Sequence, residues 1–507
     1  MIRVSNLIYL RKENFFMKNL VRIFSLLLAL LMVAACFVAC KKDEENGGEG
    51  GSQTQGGTVA TVEGEYVSKL PEEMDWGGEE YLVLGQSTAS NPAWYTFEIA
   101  REELPDDVVG KAVWERNDAI KNKYNLIVTE ELVSMSYSHI QTFYGSNEDK
   151  YDMVMYQLEG LFPHIQDGYL HDLTTVNYLD FDHPTWNDYT NEQITFGTAL
   201  YATSSDFNLQ NKAQLYCLKY NREMARDAGD GYLEDLVKNN EWTFDKYAEL
   251  AKAYAADTGG DGTKGDYETD TFGIVGDQWS FLIYSTGAGY RASTVVDGKV
   301  QMAGAGDHIL SILENVGDFF FESQSSFITE SIKPLDYGRS GVIYKDGRAL
   351  CCISSVAGID PEAVNFEEGI LPVPKYDSNQ EKFYSQVNPK YSSLCAIPMT
   401  VVDTDLAGFG LEVLAEYSTD TTYEAYIETK CKLQDSFDQR MSDMFEIVFE
   451  NPVYDLVIVG DFGNFRDIMM SQIPEMKNAS RYSNLYGKKY ENAQDEIDEL
   501  MSDLGIA

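Results

Sequence analysis

The sequence predicts an α/β protein built as two lobes, and three observations carry that expectation. Short apolar runs alternate with an amphipathic helical stretch: Tyr81–Leu84, a helix over 109–124, then Leu126–Val128 and Met153–Met155. Strands that read as continuously apolar and are joined through helices belong to sheets covered on both faces. A second series of strands and helices begins near Leu200. Finally, 507 residues exceed what one hydrophobic core organises, and 44% of them are apolar, enough to fill two.

The chain begins with a segment outside that alternation. Met17–Cys40 has the basic residues Lys18 and Arg22, an apolar stretch from Ile23 to Val33, and small residues leading into cysteine. That is the layout of a cleavable export signal. Val33-Ala34-Ala35-Cys36 and Phe37-Val38-Ala39-Cys40 both resemble the bacterial lipobox, in which the cysteine is lipidated and becomes the new N-terminus. Cys36 has the more usual residue three positions before it, whereas Cys40 has the polar run 41–45 directly after it; Cys36 is preferred. The charge-free stretch 23–40 is nearly long enough to span a bilayer, so a retained membrane anchor is the alternative. Met1–Phe16 fits no part of a signal, which makes Met17 the expected start. The signal region is thus residues 1–40. A glycine-rich polar tether follows to about Thr61, with the linker as a whole set at 41–75. Twenty such residues span on the order of 25 Å as a flexible coil.

Each later element has its own signal. Tyr81–Leu84 ends at Gly85-Gln86-Ser87. In the helix 109–124, Val109, Val113, Ile120 and Tyr124 share one face, with Glu115, Arg116, Asp118 and Lys121 elsewhere. Ala199–Thr203 reads as extended and Gln214–Tyr220 as a strand. Thr243 is an N-cap, with Asp245 in the first turn, for a helix striped by Phe244, Tyr247, Ala248, Ala251 and Tyr254. Ala349–Ile353 is strand-like, Gly369–Pro374 reads as a proline-bounded loop, and helices return at 406–417 and 490–504.

The formal net charge is −43, and the segment before Cys36 holds five basic residues and one acid, so its removal leaves about −47. Such a field repels nucleic acid and anionic lipid surfaces and favours neutral, cationic or protein partners. Five cysteines remain beyond the signal (Cys217, Cys351, Cys352, Cys395, Cys431), odd in number and without CxxC spacing, which reads as buried free thiols.

The order of several segments resembles the extracellular solute-binding proteins of ABC importers, of the maltodextrin-binding type and in particular their lipoprotein forms. The segments are Ala112–Asp118 leading into Tyr124-Asn125-Leu126; Tyr151–Val154 followed by Gly168–Leu173; Leu218–Asn221 followed by Glu241–Asp245; and Gly369–Asp377. The resemblance runs from about Trp76 to the C-terminus. It implies a two-lobe, periplasmic-binding-protein-like α/β fold, with a hinge and an interlobe cleft that closes over a ligand for a permease to read. Carried over by order, residues 76–201 and 388–430 form the first lobe and 202–387 with 431–507 the second, with crossings near 201–206 and 386–392. The implied function is capture of a small solute, a carbohydrate foremost, by a monomer anchored through lipid on the outer face of the cell membrane. Its partners would be the transmembrane subunits of an ABC permease.

In such a fold the ligand lies against loops at the carboxyl ends of strands. The candidates there are Gln86, Tyr95, Gln157, Glu159, Asp206 and Trp279, a set of polar groups and aromatics suited to hydroxyls and apolar sugar faces. Trp279 is the first choice for a stacking platform and is equally readable as a core aromatic ahead of Phe281 and Leu282. Trp114, Trp186 and Trp242 read as packing anchors. The stretch 257–268 matches a twelve-residue calcium loop, with Asp257 first, Asp261 fifth, Gly262 sixth, Thr263 seventh and Glu268 last, although Gly259 stands where a third acid is usual. A structural calcium is the ion it would take; a glycine- and acid-rich surface turn is the other reading, and no cofactor is required. There is no GxSxG, HExxH, SxxK, GxxxxGK[ST] or GxGxxG, and no metal spacing among the five histidines. A secreted carboxylate-dependent hydrolase and a surface adhesion or peptide-capture protein remain the alternatives to a binding protein that is not an enzyme.

Overall fold

Strand β1 (Glu80–Gln86) is the centre of the first sheet, and the chain leaves and returns to it on both sides. The computed structural model describes residues 67–506 apart from 88–96, 102, 135, 263, 305, 323, 330–335, 337, 434–435 and 473–479. The signal segment with Cys36 and Cys40, the tether, Tyr95 and Thr263 lie outside the described residues, as does the side chain of Glu159. β1 pairs in parallel with β2 (Ile127–Val133) and with β3 (Met153–Gln157). The second sheet contains β4 (Tyr216–Asn221), β5 (Phe272–Gly276), β8 (Ser326–Ile328), β9 (Ala349–Ser355) and β10 (Glu368–Leu371), in the order β10-β4-β9-β5-β8. A ribbon of β6 (Ser293–Val296) and β7 (Lys299–Met302) stands apart from it. After the short β11 (Ser385–Gln386) the chain re-enters the first sheet as β12 (Ser393–Ala396), antiparallel to β3. Every residue of β3, β4, β5 and β10 is buried, as sheets covered by helices require.

The helices that cover the sheets follow their caps. Val108–Tyr124 begins at Asp107, whose carboxylate accepts the Gly110 amide, and ends at Asn125 in the left-handed region. Phe244–Tyr254 begins where the sequence places it, with the Thr243 hydroxyl accepting from the Lys246 amide. Two glycines set how closely helix and sheet approach. A Cβ on Gly410, in the helix Thr404–Glu416, would lie 2.2 Å from the Tyr81 ring on β1; one on Gly273 in β5 would lie 2.2 Å from the Ala251 backbone. All five described cysteines are buried and unbridged.

Three readings change, and the extended one at 199–203 is sharpened. Gly369–Leu371 is not loop: with Glu368 it forms edge strand β10, antiparallel to β4, and the prolines Pro372 and Pro374 only end it. Ala199–Thr203 is extended but forms isolated bridges rather than a strand of either sheet. The last helix starts at Ser480, ten residues earlier than its apolar stripe suggests, because its first turns carry Ser, Asn, Gly and Lys. Arg116, placed among the solvated charges of its helix, is 1% exposed.

A buried arginine helps fasten the helix Gln439–Glu450 to the second lobe, beside the ion pairs Lys238–Asp443 and Arg440–Asp235. Arg222, 1% exposed, donates from Nε to Glu234 at 2.9 Å and from Nη2 to the same carboxylate, while Nη1 reaches Glu367 and Asp438, the N-cap of the helix Gln439–Glu450. Removing one member of a buried ion network leaves uncompensated charge, at a cost of about 3–5 kcal/mol. Arg222→Ala is expected to lower stability by about that much in urea unfolding. Arg222→Lys should recover only part of it, since a single ammonium cannot reach three carboxylates.

Candidate functional site

Two chain segments cross between the sheets and pair with each other. Thr203 and Cys395 exchange both backbone hydrogen bonds, each 2.9 Å, and the Asn388 amide donates to Gln214 O at 3.1 Å. Asn208 Nδ2 reaches Ser393 O at 3.0 Å, so the outgoing segment 203–215, which includes the short helix Leu209–Ala213, is held to the returning segment 387–395 by bridges at both its ends. A third stretch joins them: β11 pairs in parallel with Pro452–Val453, and the Tyr454 hydroxyl bonds Asn211. The third connection between the lobes runs through the helix Glu424–Cys431, where Lys430 Nζ donates to Ala357 O and Ile359 O. Beside it a hollow of about 460 Å³ lies between Val108 on the first lobe and Ile359, Asp360 and Pro361 on the second.

The strand ends gather around this bridge. β3 ends at Gln157, directly opposite Ser393 on β12, and the Leu158 amide donates to Ser392 O at 3.3 Å. From the second lobe, Tyr216 starts β4 opposite Ser355, the last residue of β9. The Tyr216 hydroxyl accepts from Asn388 Nδ2 at 3.1 Å, tying this corner to the returning strand. Trp279 lies over Tyr216 in a stacked arrangement, with centroids 6.4 Å apart and planes 30° from parallel. Its own amide donates to Asp277 in the turn before the helix Ser280–Gly287. Burial, with Asp277 and Tyr391 nearby, pushes the Tyr216 phenol well above its ordinary range, so it acts as a neutral hydroxyl. Gln157, Ser392, Ser393, Tyr216 and Trp279 therefore follow one another along the crossing strand, from one lobe to the other.

The other sequence candidates fall at different distances from this line. Gln86 closes β1 and is buried. Asp206 is engaged by Lys212 at 3.1 Å and by the Thr419 hydroxyl at 2.9 Å, an arrangement that ties the outgoing crossing to the third connection. In the loop 257–268, Asp257 accepts the amides of Gly260 and Gly262, while Asp270, outside the twelve-residue pattern, accepts those of Thr258, Gly259, Gly265 and Asp266. The loop turns its N–H donors inward on carboxylates. Among the described residues no three His, Cys, Asp or Glu side chains converge as metal ligands. Trp186 and Trp242 are buried, donating to Glu412 and to Pro372 O.

No protein-family model and no curated protein matches the chain. A cyclo/maltodextrin-binding protein solved with maltotetraose superposes on 83% of this chain and 99% of its own, at 12% identity and a TM-score of 0.54. This is the maltodextrin-binding-protein fold. An ABC substrate-binding protein from Listeria monocytogenes, solved with cycloalternan, aligns over 83% of this chain and 99% of its own, at 14% identity and TM-score 0.49. A maltose/maltodextrin-binding domain from Bdellovibrio bacteriovorus, bound to maltotriose, aligns over 82% and 100%, at 12% identity and TM-score 0.47. In the maltodextrin-binding-protein fold, the two sheets seen here are the two lobes.

A buried acid cluster sits beside the crossings, and no local motif announces it. Glu98 is fully buried and accepts the Gln210 amide of the outgoing crossing at 2.9 Å. Arg116 donates to Glu98 O and Ile99 O and to Ser418 in the third connection. Burial pushes Glu98 up to about 7; burial and then repulsion from Glu98 push Glu130 up to about 8. Burial lowers Arg116 to about 9. A carboxyl raised in the fold binds more protons there than when unfolded, so stability falls as pH rises from about 4.5 through about 8. Urea unfolding is expected to show higher stability at pH 5.5 than at pH 8. Glu98→Gln, which cannot ionise, should reduce that difference; an unchanged difference would remove Glu98 from the cause.

Proposed function

We propose that the protein is an extracytoplasmic solute-binding protein that captures a small carbohydrate between its lobes and presents it to an ABC permease. The observation that carries this reading is the run of uncharged polar groups and stacked aromatics along the crossing strand, inside a fold whose solved examples hold maltotetraose, cycloalternan and maltotriose. A sugar offers apolar ring faces to Trp279 and hydroxyls to carboxamides and serines, and needs no charge partner. Nothing in that run supplies an activated nucleophile or an acid–base pair, which supports binding rather than turnover. Attachment to the membrane is by lipid at Cys36 or Cys40, with the polar tether giving the body its reach. The anchor and the strongly acidic body suit a monomer working beside a membrane rather than on nucleic acid. Ligand would drive closure through its greater affinity for the closed arrangement of the lobes.

The test is a thermal-shift screen of the exported body against neutral glycans, acidic glycans and short peptides. A neutral glycan should raise the melting temperature and be recovered chemically unchanged. Product formation would move the protein to the hydrolases, and a response to peptides alone would contradict a sugar ligand. Once a glycan is found, Trp279→Ala should weaken binding by about 1–2 kcal/mol, roughly tenfold, in calorimetry, with the circular dichroism spectrum preserved.

A further inference from the structure

Three side chains at the end of β3 are buried and make no hydrogen bond within the protein. Neither the amide nitrogen nor the amide oxygen of Gln157 has a partner, and the hydroxyls of Ser392 and Ser393 have none. Their exposures are 4%, 0% and 6%, so solvent does not serve them freely either. Buried polar groups in folded proteins are almost always paired, and orphaned ones concentrate where function needs them. Here three occur together. Gln157 and Ser393 are directly opposite across an antiparallel pair, which places their side chains on one face about 5 Å apart. Ser392 is brought to the same corner by the Leu158 amide. Leu158–Gln166 is a nine-residue helix whose N-cap, Gln157, makes no capping bond, so its N-terminal dipole also points at this corner.

We infer that Gln157, Ser392 and Ser393 form a subsite that binds a hydroxyl pair of the solute through the returning crossing strand itself. A carboxamide and two hydroxyls can each donate and accept, which matches a sugar hydroxyl in either role. Because Ser392 and Ser393 belong to the strand on which the lobes are joined, an occupied subsite fixes that strand and couples recognition to the position of the lobes. Charge is absent from the three side chains, so the subsite selects by hydrogen-bonding geometry. The inference rests on the solute-binding reading and adds residues that the loop positions alone did not single out.

The experiment uses the full exported body and the double variant Ser392→Ala/Ser393→Ala, with Gln157→Leu as a second variant. In ligand-free melting, both should be as stable as the wild type or more so, because the removed groups have no protein partner to lose. With maltotetraose and ribitol as probes, the wild type should show a melting shift with at least one, and both variants should bind that probe about tenfold or more weakly. A ligand-free melting temperature lowered by several degrees would show that the hydroxyls are structural and overturn the inference. Unchanged probe affinity in the variants would overturn it too, while leaving the solute-binding reading intact. A wild type that responds to neither probe nor to any glycan of the wider screen would contradict that reading, and the inference with it.

Discussion

The reciprocal hydrogen bonds between Thr203 and Cys395 hold the outgoing and returning crossings together, and the two-lobe arrangement depends on them. A lobe built from sequence-local strands needs only one connection to its neighbour. Here the returning strand does more than connect: it becomes β12 and completes the first sheet against β3. The first lobe therefore cannot form its full sheet until the second has been traversed, which is long-range pairing of the kind that folds slowly. It also means that any force on the crossing is felt at the end of β3.

Around that bridge the protein places polar groups that a simple core would exclude. Glu98, Arg116 and Ser418 tie the loop after β1, the first long helix and the third connection to the outgoing crossing. Tyr216 and Asn388 tie the second sheet to the returning one. Buried hydrogen-bonded groups of this kind fix one arrangement more sharply than apolar packing does, at some expense in stability. The line from Gln157 to Trp279 thus lies beside crossings tied by buried hydrogen bonds. A binding site placed there is held rigid within each lobe and can change only by relative motion of the two.

Much of this was legible in the sequence, and the rest was hidden for physical reasons. β1, β3, β4 and β9 are continuous apolar runs between turn residues, so their period and boundaries show directly. Thr243 announced its helix because an N-cap is a local feature. β10 did not show, since four residues running straight into Pro372 and Pro374 look like a loop until β4 lies beside them. Arg116 falls on the polar side of a helical wheel and is buried by the loop 97–101 and Ser418, partners far from it in the chain. At the site, Gln157 and Trp279 were found by counting to the ends of strands. Ser392 and Ser393 were not, because a serine pair at the head of an apolar strand carries no meaning until the register with Gln157 is known. In the loop 257–268 the acid pattern matched a calcium site, but Asp270, just beyond it, takes the inward-facing amides.

On the proposed function, the crossing strands form a hinge whose lobes close on a solute. Small-angle X-ray scattering of the exported body, with and without a saturating glycan identified by its melting shift, tests it most directly. The radius of gyration should be smaller with glycan bound and return to its original value on dialysis. Tight binding with an unchanged radius of gyration would contradict it.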